Sequence, residues 1–194
     1  MITIVSGLPR SGTSLMMQML QAGGLPLLCD EVRAADEDNP RGYLEFEKVR
    51  QLAKDAGWMS QADGKALKVV SLLLYHLPPG FEYRVLFMRR DLDEILSSQE
   101  KMLARRGEPS GPDRATMRRH FERHLTGLEE WLSRQAHVRL LDCPYTDVVT
   151  NPRATAREVA AFLSLTLNEE GMAAAVDPAL YRQQARRDAP RGLG

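Results

Sequence analysis

The stretch that most constrains this chain is its first twenty-two residues. Ile2–Ser6 is a short apolar run, and Thr13–Ala22 carries Leu15, Met16, Met19 and Leu20 at helical spacing. Between them lies Gly7-Leu8-Pro9-Arg10-Ser11-Gly12-Thr13-Ser14. A buried strand that turns through two glycines into a helix can curl its backbone closely round an anion. The helix N-terminus there offers unpaired N–H groups and a partial positive charge. The spacing is that of a phosphate loop, G-x-x-x-x-G-K-[ST], with one departure. Thr13 fills the lysine slot, and the cation is Arg10, inside the loop. Ser14 holds the slot that would coordinate magnesium. With no basic residue before the apolar run, Met1–Gly7 reads as a first strand rather than a secretory signal.

The same alternation continues down the chain. Strand patterns fall at Ala66–Ser71, Arg84–Met88 and Val138–Asp142. Helical patterns fall at Leu44–Ala56, Leu92–Arg105, Asp113–Gln135 and from Asn151-Pro152 to Leu163. The long helix over Asp113–Gln135 turns Met117, Phe121, Leu125, Leu128 and Leu132 inward. Asp30–Gly42 and Gly107–Pro112 read as loops from their breakers. Strands alternating with helices predict an α/β fold, three-layer α/β/α with a mostly parallel central sheet. At 194 residues the chain fits a single domain, 1–194. Ligands of such sheets bind at the carboxyl ends of the strands, so chemistry is expected in the loops after Ser6, Ser71, Met88 and Asp142.

Composition removes several classes. Twenty-six Lys+Arg against twenty-six Asp+Glu give a formal net charge of zero, which argues against a generic nucleic-acid binder. No apolar run is long enough to span a membrane. Cys29 and Cys143 are too few for a disulfide framework and read as reduced thiols of a cytoplasmic protein. The expected partners are therefore a small-molecule or peptide substrate, with no nucleic acid and no membrane. A homodimer is left open.

Pro9-Arg10-Ser11-Gly12-Thr13-Ser14 resembles the 5′-phosphosulfate loop of the sulfotransferases, P-[KR]-S-G-T-[TS]. Two further elements follow in that family's order. Val85-Leu86-Phe87-Met88-Arg89-Arg90-Asp91 ends a strand in arginine, with Ser98 eight residues past Arg90. Arg89 and Ser97 share that spacing, but the Arg-Asp pair favours Arg90. Tyr145-Thr146-Asp147 and Asn151-Pro152 follow the last strand. The resemblance implies a P-loop-like sulfotransferase fold and 3′-phosphoadenosine 5′-phosphosulfate (PAPS) as donor, leaving PAP as product. It implies that Arg10, Ser11, Gly12, Thr13 and Ser14 cradle the 5′-phosphosulfate. Arg90 and Ser98 would hold the 3′-phosphate, and Tyr145 would lie near the adenine. Arg10 would also stabilise the transferring group, and no metal is implied.

Sulfuryl transfer needs a base for the acceptor proton. Cys29-Asp30-Glu31-Val32-Arg33 resembles a stretch of tyrosylprotein sulfotransferases in which an acid two residues before an arginine is the base. That puts Glu31 first and Asp30 second. Glu45, and His76 in His76-Leu77-Pro78, follow, and Lys68 is a candidate sulfate contact. Arg186-Arg187 and Arg191-Gly192 read as a solvated basic tail. His120 and His124, four residues apart beside Arg118, Arg119 and Arg123, read as a solvated basic helix face. Trp58 and Trp131 read as packing residues. Two other functions compete: a magnesium-dependent P-loop kinase or nucleotide hydrolase, with Ser14 and Asp142 as metal ligands, and a catalytically silent nucleotide-binding module.

Overall fold

The computed structural model describes residues 1–30, 32, 36, 42–109 and 111–177. Four strands form one sheet: β1 (Ile2–Gly7), β2 (Ala66–Lys68), β3 (Tyr83–Arg89) and β4 (Val138–Pro144). The order is β2-β1-β3-β4 and every pairing is parallel. The six α-helices among the described residues are α1 (Thr13–Ala22), α2 (Leu92–Arg106), α3 (Arg114–Leu132), α4 (Tyr145–Thr150), α5 (Pro152–Leu163) and α6 (Glu169–Ala174).

Period-two alternation sends β1 side chains to two separate cores. Val5, with Leu86, Met88 and Cys143, packs under α1, α5 and α6 through Met16, Leu20, Val159, Leu163 and Met172. Ile2 and Ile4, with Val85 and Phe87, pack on the opposite face against Leu128 and Leu132 of α3 and against Trp58 and Met59. Both faces are covered, which is the three-layer α/β/α arrangement. Buried among apolar neighbours, the Cys143 thiol is pushed up to about 12. The chain leaves β1 in one direction across the sheet for β2 and crosses back for β3. The crevice between the carboxyl ends of β1 and β3 is therefore the switch point where α/β sheets bind ligands.

Two expected elements differ in kind. Leu44–Ala56 is not an α-helix: only Glu47–Gln51 is regular, as a 3₁₀-helix. Phe46, Val49 and Leu52 meet the core at intervals of three, the period of a 3₁₀ turn rather than of an α-helix. The second strand ends at Lys68, and Ser71–His76 is again 3₁₀, with Ser71, Leu74 and Leu77 buried at the same interval. On α3 only Leu128 and Leu132 of the inward-facing set are fully buried. Trp58 and Trp131 pack in the second core.

His124 corrects the reading of a solvated basic face. It is partly buried, its Nε2 lies 2.9 Å from Ser71 Oγ, and its ring meets Tyr75 edge-on. Burial disfavours the imidazolium and lowers its pKa from the ordinary 6.5. The native state therefore binds fewer protons than the unfolded state just below pH 6.5. His124's contribution to stability is complete above that pH and is lost as pH falls towards the lowered value. Thermal unfolding from pH 7.5 to 5 should show wild type losing its advantage over His124→Asn on acidification. A pH-independent difference between the two proteins would contradict this.

Candidate active site

Backbone geometry builds the loop after β1. Gly12 precedes α1 at φ 102°, and a Cβ there would lie 2.5 Å from the Tyr145 ring. A Cβ on Gly7 would come within 2.8 Å of the Met88 carbonyl oxygen. The loop thus presses against β3 and α4, and only glycine permits that approach. No side chain caps α1 and no acid sits in its first turn, so its leading N–H groups face the loop. Ser11 Oγ is buried without a hydrogen-bond partner among the described residues.

Arg10 holds a left-handed backbone, φ 69°, and is anchored at both ends. Its Nε donates to Ser98 Oγ of α2 at 3.0 Å, and its carbonyl accepts from Arg90 Nη1 at 3.0 Å. Arg90 also pairs with Glu94 at 2.9 Å, with the two side chains only 8% and 6% exposed, and lies 4.4 Å over the Tyr145 ring. Asp91 starts α2 by accepting from the N–H groups of Asp93 and Glu94, which sets the direction of Ser98.

Lys68 arrives from the end of β2. Its Nζ donates to Ser14 Oγ at 2.9 Å and to the Tyr43 carbonyl at 2.8 Å, and lies 3.4 Å from Glu45 Oε1. A lysine from the neighbouring strand thus reaches the loop whose own lysine slot holds Thr13.

These groups surround one cavity of about 550 Å³, within the usual range for small-ligand sites. Gly12, Thr13 and Ser14 line it with Arg10, Lys68, Arg90, Ser98 and Tyr145. Its lining carboxylates among the described residues are Glu45, Glu47 and Asp177. Of the equally spaced pairs, Arg90 and Ser98 line the cavity. Arg89 instead binds Asp142 and Glu129, each at 2.7 Å, and Ser97 accepts from Arg114.

Several candidates lie elsewhere. Glu31 and the basic tail fall outside the described residues. Asp30 does not line the cavity: its carboxylate accepts from the N–H groups of Glu47 at 2.7 Å and Val32 at 3.2 Å, and so holds the start of the 3₁₀ turn. His76 is exposed at the end of its 3₁₀ turn and does not reach the cavity. Asp142 is tied to Arg89 outside it, so it is not a second metal ligand beside Ser14. Among the described residues no group of three or more His, Cys, Asp or Glu could hold a metal ion. Sequence reasoning missed Tyr43, Gln99, Lys101 and Arg105 in the lining. The signal for the last two is their spacing, three and seven residues past Ser98 on one helix face.

Gly12→Ala is expected to cost about 2–4 kcal/mol, from a strained backbone and overpacking against Tyr145. Gly64 also has positive φ, but a Cβ there meets nothing within 4 Å. Gly64→Ala should cost only the backbone part, about 1–2 kcal/mol. Urea unfolding of the two variants compares them, and equal losses would remove Tyr145 from the account.

Residues 42–169 match the sulfotransferase family. No curated protein sequence matches the chain. Among solved structures, it is similar to the sulfotransferase domain of the Synechococcus PCC 7002 olefin synthase, at 18% identity and a TM-score of 0.56, over 97% of this chain and 89% of that one. It is also similar to the sulfotransferase domain from the curacin biosynthetic pathway, at 14% identity and a TM-score of 0.53, over 95% and 92%. A sulfotransferase from Alicyclobacillus acidocaldarius matches at 14% identity and a TM-score of 0.50, over 84% and 80%. At these identities the solved structures speak for the fold.

Proposed function

The chain belongs to the sulfotransferase family, and we propose that it moves a sulfuryl group from PAPS to a hydroxyl or amine of a small-molecule or peptide acceptor, without a metal ion. The observation that carries this reading is Lys68 Nζ at 2.9 Å from Ser14 Oγ. An ammonium group there stands beside the hydroxyl that a phosphate-loop enzyme uses for magnesium. The kinase reading would use Asp142 as a metal ligand, and that carboxylate is tied to Arg89 outside the cavity.

The residues fit a donor with two anionic ends. The glycine cradle, the open N-terminus of α1, Arg10 and Lys68 suit a 5′-phosphosulfate, while Ser11, wholly buried against Gly7, is not in the cavity lining. Arg90 and Ser98, joined through Arg10, suit a 3′-phosphate. The Tyr145 ring packs on Gly12 and under Arg90, and forms the wall beside that second anion. PAPS supplies the sulfuryl group: its S–O bond to the 5′-phosphate breaks as the acceptor atom bonds sulfur, and PAP leaves with the electron pair. Arg10 and Lys68 stabilise the charge that gathers on the sulfate oxygens and the leaving phosphate. Glu45, beside Lys68 on the cavity wall, takes the acceptor proton in this reading. A reducing, cytoplasmic setting suits Cys29 and Cys143, which are not joined in a disulfide. No helix among the described residues is long and apolar enough to cross a membrane.

PAP should raise the melting temperature in EDTA as much as in magnesium. At one hundred times its dissociation constant the gain is about 2.7 kcal/mol. Stabilisation by ATP with magnesium, and none by PAP, would overturn the reading. Turnover of labelled PAPS separates an enzyme from a silent binding module.

Glu45→Gln should keep PAP affinity and lower the single-turnover rate about 10²–10⁴-fold. The swap keeps shape and removes basicity. Glu31→Gln, measured alongside, should be milder. If Glu31→Gln is the more damaging, the base belongs to the Asp30–Arg33 segment.

A further inference from the structure

Between Tyr43 and Glu45 the chain turns back sharply. Leu44 holds a left-handed backbone at φ 51°, which a bulky side chain rarely adopts. Such a kink persists only where the surroundings enforce it, and enforced kinks cluster at working sites. Here both sides of the kink are tied down. Upstream, Tyr43 is buried and its phenol donates to Asp36 at 2.8 Å. Downstream, the Asp30 N–H donates to the Glu45 carbonyl at 2.8 Å, and the Asp30 carboxylate accepts from the Glu47 N–H at 2.7 Å. Leu44 itself packs against the first core.

The kink aims two groups at one nitrogen. The Tyr43 carbonyl accepts from Lys68 Nζ at 2.8 Å, and Glu45 Oε1 lies 3.4 Å from the same atom. The Tyr43 ring also faces that ammonium, with its centroid 5.7 Å away. On the loop side, Ser14 Oγ accepts from Nζ at 2.9 Å. A carbonyl and a hydroxyl thus hold the ammonium more closely than the carboxylate does. The Lys68 and Glu45 side chains are only 12% and 29% exposed, and opposite charges attract more strongly away from water. Without its tether the ammonium would close on Glu45 and draw away from Ser14.

Resting on the sulfotransferase reading above, we infer that Tyr43 is a positioning residue. Its carbonyl and ring hold Lys68 at Ser14, where the ammonium meets the 5′-phosphosulfate of the donor, and keep it from collapsing onto Glu45. Tyr43 acts on the donor through Lys68 and needs no contact of its own with the nucleotide. The left-handed turn at Leu44 is what brings the Tyr43 carbonyl and the Glu45 carboxylate to the same ammonium.

A double-mutant cycle on PAPS affinity tests this, measured calorimetrically on the full chain without an acceptor. Lys68→Met removes the charge and should weaken PAPS about tenfold or more. Tyr43→Ala alone should weaken it about fivefold. Added to Lys68→Met, Tyr43→Ala should change affinity by less than about twofold, because the group it positions is gone. Tyr43→Phe keeps the ring and should recover most of the loss. Leu44→Val leaves the cavity side chains in place, but its branched Cβ resists the left-handed region. It should reproduce the loss seen in Tyr43→Ala, and it takes the place of that variant in the cycle if Tyr43→Ala does not fold. Equal weakening by Tyr43→Ala in both backgrounds would mark a merely structural part of the cavity wall and overturn the inference. So would a Tyr43→Ala or a Lys68→Met protein with the PAPS affinity of wild type, or a Tyr43→Phe protein as weak as Tyr43→Ala. Each of these results leaves PAPS binding by wild type intact, and with it the donor reading. Failure of wild type to bind PAPS at all would instead sink the donor reading and this inference with it.

Discussion

The guanidinium of Arg90 joins three separate parts of the sheet's carboxyl edge. It leaves the end of β3, donates to the Arg10 carbonyl in the loop after β1, and lies over the Tyr145 ring at the start of α4. A charge 8% exposed would be costly alone, and Glu94, one helical turn on and itself 6% exposed, answers it. Such a buried pair adds little net stability over apolar packing, but removing either partner strands the other. What the pair secures is direction. With Arg90 fixed, Arg10 is held in its left-handed conformation, and its Nε reaches Ser98.

Charge around the cavity is divided rather than pooled. Arg90 and Ser98 stand near the start of α2, Lys68 and Glu45 at the end of β2, and Lys101 and Arg105 near the C-terminus of α2. The chain as a whole is neutral, so this basic lining is balanced elsewhere. Asp93, Glu100 and Glu122 pair with Arg114 and Arg118 between α2 and α3, outside the cavity. There Arg118 and Arg114 hold the Asp93 carboxyl below its ordinary value. Among the described residues the cavity lining itself holds seven Lys and Arg side chains against the three carboxylates Glu45, Glu47 and Asp177.

What was legible in the sequence was local. The loop from Gly7 to Ser14 is a contiguous strand–turn–helix, and its glycines announce the close backbone approach that Met88 and Tyr145 require. The parallel sheet follows from apolar strands separated by helices, and the Arg-Asp pair at positions 90 and 91 separated Arg90 from Arg89 because Asp91 is the cap of α2. The segments at 46–52 and 71–77 were harder. Short runs with apolar residues every third position fit a frayed α-helix or a strand in sequence, and only the packing against Trp58 and Phe87 selects the 3₁₀ form. The base was least legible. Asp30, which looked like a candidate acid, spends its carboxylate on backbone N–H groups seventeen and two residues away. No sequence pattern distinguishes such a turn-holding carboxylate from one that faces a substrate.

Lys68 shows why a single-motif comparison misleads here. Thr13 in the lysine slot looks like the loss of a cation, yet the cation is present in space, brought by β2 to within 2.9 Å of Ser14 Oγ. The origin of the lysine matters for chemistry. A lysine inside the loop is tied to the phosphates of one nucleotide. A lysine from the adjacent strand stands between that loop and the wall that carries Glu45, 3.4 Å away. One ammonium group can then answer charge on the transferring sulfate and orient the carboxylate beside it. In the proposed transfer, the acceptor proton would neutralise the Glu45 carboxylate and leave Lys68 to the charge growing on the leaving phosphate. On that proposed reading, a cation placed on β2 rather than on α1 would couple donor and acceptor chemistry in one side chain, since Lys68 touches both Ser14 and Glu45.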